Sequence, residues 1–280
     1  MLAFFDLIVV FLLGLCVGSF LNVIIFRLRS NEQWKSGRSH CVSCNAILSV
    51  KDLIPLLSFI LLKGRCRYCK TVLSWQYPFV EIATAGLFIL SYFALLGIFQ
   101  SQSLTALLAT GSLFPVMLLL KYVVFLCILL IIFVTDLRWF VIYDSVIILG
   151  SAVALAAHLL IPPLFSPQYI MPAWLNLVVA ICVPAAFFGL QYVISSGKWI
   201  GGGDILLGGM MGLMLGWPQV LTALFIAYCT GSIVGVALIA VGKKSRGSEV
   251  PFGTFLTAAT GIMLLYGDWV MAFANRVLLL

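Results

Sequence analysis

Long apolar runs separated by short polar stretches set the pattern of this chain. The runs lie near 4–26, 77–99, 114–135, 145–162, 174–194, 205–216, 219–241 and 252–273. A helix needs about 20 apolar residues to cross a bilayer. Lipid offers backbone polar groups no partner outside a helix or a closed barrel. The pattern therefore predicts an all-α polytopic membrane protein with about eight transmembrane helices. The sixth run is short for a span, so it is tilted, broken or sheltered by its neighbours. The first resembles a signal peptide only in its position. It has no basic segment before it and no small-residue cleavage site, and its arginines follow the apolar run.

Composition sharpens the picture. Hydrophobic residues make up 63% of the 280 positions and charged residues 9%, with a mean hydropathy of +1.19. Soluble domains carry roughly 25% charged residues, so a cytosolic globule, a disordered chain and a small disulfide scaffold are all excluded. The net charge of +7 is no sign of nucleic acid, because of where the cations fall. Nine of the sixteen Lys and Arg lie between Arg27 and Lys70, and Lys243, Lys244 and Arg246 form a second group. With the N-terminus outside, the loops 27–76, 136–144, 195–204 and 242–251 hold fourteen of the sixteen. Cytoplasmic loops carry this excess. The predicted arrangement is N-out with eight spans. It comprises a first helix (1–26), a cytoplasmic four-cysteine module (27–76) and a seven-helix part (77–280).

The module carries Cys41-x-x-Cys44 and Cys66-x-x-Cys69, twenty-one residues apart. Two such pairs suit a tetrahedral Zn²⁺ that is structural, since four thiolates leave no open position. Two disulfides or four unrelated thiols are the alternatives, the former disfavoured in a reducing cytosol. The apolar stretch Leu53–Leu62 between the pairs is too short to span and suits the membrane interface. Cys16, Cys127, Cys182 and Cys229 fall in apolar spans and are read as packing residues.

Nine carboxylates serve the whole chain. Asp6, Glu32, Asp52, Glu249 and Asp268 lie near ends or in loops, and none needs a special role. Glu81, Asp136, Asp144 and Asp204 sit at or inside the ends of apolar spans, where ionisable groups are costly and usually functional. Asp144 precedes Ser145 and suits an N-cap. Asp204 suits one too, but Gly201-Gly202-Gly203 before it serves no capping purpose and predicts close backbone approach. Asp136 closes a helix, where the dipole disfavours a carboxylate. Two aspartates on different helices at one membrane face suit an aspartic protease, in which a carboxylate pair shares a proton. A transporter coupling ions through the same carboxylates remains the alternative from another class.

Smaller signals have plainer readings. Gly14 and Gly18; Gly208, Gly212 and Gly216; and Gly231 and Gly235 recur at helical spacing and predict close helix packing. Asn22 predicts an interhelical hydrogen bond, and His158 packing. No Gly-x-Gly-x-x-Gly occurs, so a Rossmann-type cofactor site is not predicted.

The motifs together resemble one family. Gly18-Ser19-Phe20-Leu21-Asn22-Val23 with Arg27, the paired cysteines flanking Ile54-Pro55-Leu56-Leu57-Ser58, and Pro78-Phe79-Val80-Glu81 come first. Asp136-Leu137-Arg138 through Asp144, Gly201-Gly202-Gly203-Asp204 and Pro251-Phe252-Gly253 follow in order. This succession is similar to that of the bacterial type IV prepilin peptidases, intramembrane aspartyl proteases with a Gly-x-Gly-Asp signature. The resemblance implies cleavage of the basic leader after glycine, from prepilins or type II secretion pseudopilins, at the cytoplasmic face of the inner membrane. It also implies N-methylation of the new N-terminus with S-adenosylmethionine; a peptidase lacking the second activity is the nearest alternative.

Carried over residue by residue, Asp136 and Asp204 are the catalytic pair. Gly201 and Gly203 support the loop, and Cys41, Cys44, Cys66 and Cys69 form the zinc-type tetrad. Glu81 is the candidate for the methyl-transfer step, toward either the substrate amine or the methyl donor. The chain departs from the pattern at Leu206, where a lysine is usual, at Tyr143, and at Thr254, where a second proline is usual. Helix-end electrostatics suggest that Asp136 holds the shared proton while Asp204 orients water.

Overall fold

A computed structural model describes residues 2–30, 39–101, 103–108, 111–160, 171–243 and 250–277. Lys244, Arg246, Glu32, Glu249 and the end of the 145–162 run lie outside the described residues. Each apolar run forms a helix: α1 (Leu2–Ser30), α3 (Gln76–Phe99), α5 (Phe114–Trp139), α6 (Asp144–Leu160), α7 (Ala173–Ser195), α8 (Gly202–Leu215), α9 (Gln219–Ala240) and α10 (Phe252–Val277). Two short helices are added, α2 (Leu57–Leu61) and α4 (Leu104–Leu108). Among the described residues, six helices are long and apolar enough to cross a membrane: α1, α3, α5, α7, α9 and α10. The helices α6 and α8 are apolar but shorter.

The chain divides into two compact units, Met1–Val123 and Val124–Leu280. In the first, α1 packs along α3, and glycine makes this possible. A Cβ on Gly14 would lie 2.6 Å from the Ala85 Cα, and one on Gly18 would lie 2.7 Å from the Glu81 Cα. Asn22 then bridges the two helices, donating through Nδ2 to the Tyr77 carbonyl at 3.0 Å. Asp6 accepts the Leu104 and Thr105 N–H groups and so caps α4.

In the second unit α8 is the central element, with Leu207, Met210, Met211, Met214 and Leu215 all buried. Its short length is thus sheltered by protein. A Cβ on Gly212 would sit 1.8 Å from the Ala180 carbonyl oxygen, and one on Gly208 would sit 2.7 Å from the Phe188 ring. Gly212 brings α8 into contact with the backbone of α7, and Gly208 leaves room for the Phe188 ring. The other small-residue positions differ. Gly216 ends α8 with φ +76°, Gly231 makes only ordinary contact, and Gly235 has no neighbour within 4 Å. Asn176 on α7 holds the turn after α8 by gripping both backbone groups of one residue, donating to the Trp217 carbonyl and accepting the Trp217 N–H. His158, expected to pack, is instead exposed, and its Nε2 lies at hydrogen-bond distance, 2.6 Å, from the Leu213 carbonyl.

Candidate functional site

Both aspartates lie in the second unit and both are buried. Asp136 lies in the last turn of α5. Its Oδ2 accepts the Thr254 N–H at 2.7 Å and the Thr254 hydroxyl at 3.0 Å. Thr254 belongs to the first turn of α10, whose N–H groups lack intrahelical partners. Asp136 therefore caps a second helix from outside, at the positive end of that helix's dipole. Its position at the C-terminus of its own helix is only half of its electrostatic environment, and the other half favours a carboxylate. Sequence spacing could not show this, because 118 residues separate the two partners.

Asp204 lies in the first turn of α8. Its Oδ2 accepts the Gly201 N–H at 3.0 Å, the reach-back half of a capping box. Its Oδ1 is buried and has no hydrogen-bond partner. The carboxylate of Asp136 acts electrostatically on Asp204, and Asp204 acts in turn on Tyr228, whose hydroxyl is hydrogen-bonded to Gln191. The ring of Tyr228 tilts against Phe252 at 4.8 Å between centroids.

Three residues beyond the carboxylates shape this place. Ile142, in the segment between α5 and α6, lies against both loops. A Cβ on Gly203 would be 3.3 Å from the Ile142 Cβ, and one on Gly253 would be 2.9 Å from its Cδ1. The Gly253 Cβ would also lie 3.0 Å from Asp136 Oδ2. The close approach expected of the glycine triplet thus occurs at Gly203. Gly202 has no neighbour within 4 Å, and Gly201 serves as the helix N-cap. Gly253 and Thr254 were visible in the sequence only as parts of a motif. Ile142 carried no signal at all, since apolar residues surround it in the chain. Asp144 starts α6 and is exposed.

In the first unit the four cysteines converge. One sulfur from each of Cys41, Cys44, Cys66 and Cys69 lies within 4.8 Å of all the others. Four thiolates ~2.3 Å from a tetrahedral zinc would be ~3.8 Å apart, and Cys41 and Cys69 stand 3.9 Å apart. The cluster can hold a metal ion.

The two Cys-x-x-Cys turns repeat one local design. Cys41 N–H donates to Ala46 O at 2.9 Å, and Cys66 N–H donates to Thr71 O at 2.9 Å. Antiparallel bridges His40–Ile47 and Arg65–Val72 close them. Asn45 (φ 55°) and Lys70 (φ 61°) each follow the second cysteine in left-handed conformation. The sequence shows this repeat only as the cysteine spacing, because its side chains otherwise differ.

Asp52 ties the spacer to the second turn. Arg67 Nε donates to it at 2.6 Å, and Ser49 and Tyr68 bond it as well. Burial alone would push the carboxyl up, but these bonds hold it down to about 2. A depressed carboxyl stabilises the fold above its unfolded value near 4, and this contribution fades as pH falls toward 2.

Glu81, on α3, is buried and turns toward this module, where its Oε2 accepts the Leu56 N–H at 2.8 Å. Leu56 has φ 58° and ψ −47°, and Leu57 N–H donates back to the Pro55 carbonyl. This is the rare, strained γ-turn. Strain of this kind persists where surrounding bonds over-determine it, and the Glu81 carboxylate supplies one of them.

Comparison with known proteins bears on both units. Residues 12–95 match the family model described as Bacterial Peptidase A24 N-terminal domain, and residues 123–236 match that of the Type IV leader peptidase family. The chain is 30% identical to the prepilin leader peptidase/N-methyltransferase of Bacillus subtilis (strain 168), over 97% of this chain and 98% of the relative. It is 30% identical to the protein of the same name from Legionella pneumophila, over 95% and 93%. With the protein of that name from Myxococcus xanthus (strain DK1622) it shares 32%, over 85% of this chain and 65% of the relative. No solved structure matches. On these matches, the chain belongs to the type IV leader peptidase family.

Proposed function

We infer that the chain is a membrane aspartic endopeptidase of the bacterial inner membrane. It removes the basic leader from type IV prepilins or pseudopilins and then N-methylates the new terminus. The family and the relatives' names support both activities. The observation that carries the peptidase reading is the aspartate pair. Two buried carboxylates from different helices interact, and one of them, Asp204, keeps a buried oxygen without a partner.

Asp136 and Asp204 are the catalytic residues. Asp204 Oδ1 accepts a hydrogen bond from the attacking water and takes its proton. The proton shared by the pair passes to the scissile carbonyl oxygen as the water oxygen bonds to carbon. Collapse of that intermediate then returns a proton to the leaving amine. Thr254 binds the Asp136 carboxylate at the start of α10 while Gly201 binds Asp204. The proton is therefore assigned to the pair and not to either member. Gly201 and Gly203 form the turn that sets Asp204 at the head of α8.

In the second activity the free amine attacks the methyl carbon of S-adenosylmethionine. The carbon–sulfur bond breaks, S-adenosylhomocysteine leaves, and the nitrogen loses a proton. The four cysteines hold a structural zinc. The N-terminus lies outside, the basic loops 27–76, 136–144, 195–204 and 242–251 face the cytoplasm, and α6 and α8 complete eight spans. The spacer's exposed Ile60 and Leu61 rest at the interface.

Cleavage of a prepilin by the purified chain in detergent tests this reading. Asp136→Asn and Asp204→Asn are each expected to lower the rate by about 10³-fold, the scale of general acid–base catalysis. Substantial cleavage by either variant would overturn the two-aspartate mechanism. Mass spectrometry of the product then separates a peptidase that methylates from one that does not.

A further inference from the structure

Two polar side chains face each other beside the aspartate pair, and the proteolytic steps make no use of them. Gln191 lies on α7 and Tyr228 on α9, and both are half-buried. Polar groups inside apolar spans are costly and usually functional. Gln191 Nε2 donates to the Tyr228 hydroxyl at 2.9 Å, and that hydroxyl donates back to Gln191 Oε1 at 3.1 Å.

Helix register puts the pair level with the chemistry. A Cβ on Gly212 would meet Ala180, and one on Gly208 would meet Pro184 and Phe188, so α7 and α8 run antiparallel. One turn further along both helices, Asp204 comes level with 188–192, which includes Gln191. From the other side, the Tyr228 ring lies 4.8 Å from that of Phe252. Phe252 immediately precedes Gly253, where a Cβ would lie 3.0 Å from Asp136 Oδ2, and Thr254 binds that same oxygen. The Asp204 carboxylate acts electrostatically on the Tyr228 hydroxyl.

The two side chains do not exhaust each other. One N–H of the Gln191 amide and one lone pair of its carbonyl are left over, side by side on a half-exposed edge. An amide presented this way can grip both backbone groups of one residue. Asn176, earlier on the same helix, makes that grip on Trp217, at 2.8 Å to the carbonyl and 3.1 Å to the N–H. In a helix the scissile carbonyl is bonded within its own turns, so the segment must extend before water attacks it. An extended segment among apolar helices has N–H and C=O groups without partners. We propose that Gln191, anchored by Tyr228, binds the backbone of the extended substrate segment beside its scissile bond. Gln191 is then a subsite that reads backbone and not side chains, and Tyr228 positions it. This inference rests on the peptidase reading above and adds a substrate contact to it.

The test pairs an enzyme variant with a backbone variant of the substrate. The purified full chain in detergent is given synthetic prepilin peptides in which single amides flanking the scissile bond are replaced by esters, each removing one N–H. With the unaltered chain, one such ester is expected to lower kcat/KM about tenfold, the scale of one hydrogen bond. Gln191→Leu is expected to lower kcat/KM for the all-amide peptide by about tenfold as well, and the two losses should not multiply. A pair that merely ties α7 to α9 would slow amide and ester peptides alike, so multiplying losses would overturn the proposal. An unchanged all-amide rate in Gln191→Leu would do the same. Should Gln191→Leu fail to fold, Tyr228→Phe takes its place. It keeps the ring against Phe252 and removes only the hydroxyl anchor, with a smaller loss coupled to the same ester. Absence of any ester-sensitive position overturns the proposal with the unaltered chain alone. Failure of the unaltered chain to cleave even the all-amide peptide would instead overturn the peptidase reading, and the subsite with it.

Discussion

Gly253 shows how little space surrounds Asp136. A methyl group there would lie 3.0 Å from the Asp136 Oδ2 and 2.9 Å from the Ile142 Cδ1, so Gly253→Ala must displace one of them. A misplacement of about 1 Å at a reacting group can lower the rate ~10²-fold. That is the expected loss in kcat for prepilin cleavage. Thr254→Val removes only the 3.0 Å hydroxyl bond and leaves the 2.7 Å backbone bond in place. Its expected loss is nearer tenfold, and equal losses in the two variants would contradict this account. At this scale the sequence was informative wherever a costly residue had no apolar excuse. Asp136, Asp204, Glu81 and Asn22 stood out because an ionisable or polar group in lipid needs a reason. Thr254 and Ile142 did not, because their roles exist only through partners distant in the chain.

At the scale of elements, close helix packing depends on particular glycines and not on the small-residue pattern as such. Gly212→Ala places a Cβ into the Ala180 carbonyl. It is expected to cost about 3 kcal/mol, the upper end of ordinary overpacking. Gly235→Ala meets nothing within 4 Å and is expected to be neutral or stabilising by up to ~1 kcal/mol through helix propensity. Thermal unfolding in detergent compares the two. Both residues carry the same sequence signal, and only the neighbouring helix distinguishes them. The cysteine module was more legible, because two Cys-x-x-Cys pairs are a short, specific pattern with few uses other than holding a metal. About one zinc per chain is expected by elemental analysis. Its loss on chelation or in Cys66→Ser should come with protease cutting within 39–75, and a metal-free wild-type chain that resists cutting there would refute the structural role.

At the scale of the molecule, the charge pattern predicts the orientation. Cysteine-directed labelling of intact cells should leave the 39–75 module unmodified by impermeant reagents, and a tag at the N-terminus should be accessible from outside. The reverse pattern would invert the arrangement.

The sequence alone determined the solvent, the helical class, the succession of apolar runs and the family. Each follows from local hydropathy and from motifs a few residues long, which do not depend on distant partners. The tertiary structure decided that the end of α5 is capped by the start of α10, that Asp204 keeps an unpartnered oxygen, and that Glu81 braces a strained turn. Those facts depend on groups brought together from positions 25 to 118 residues apart. In a chain so uniformly apolar, the pattern shows that helices pack but not which faces meet, and the chemistry depends on the meeting.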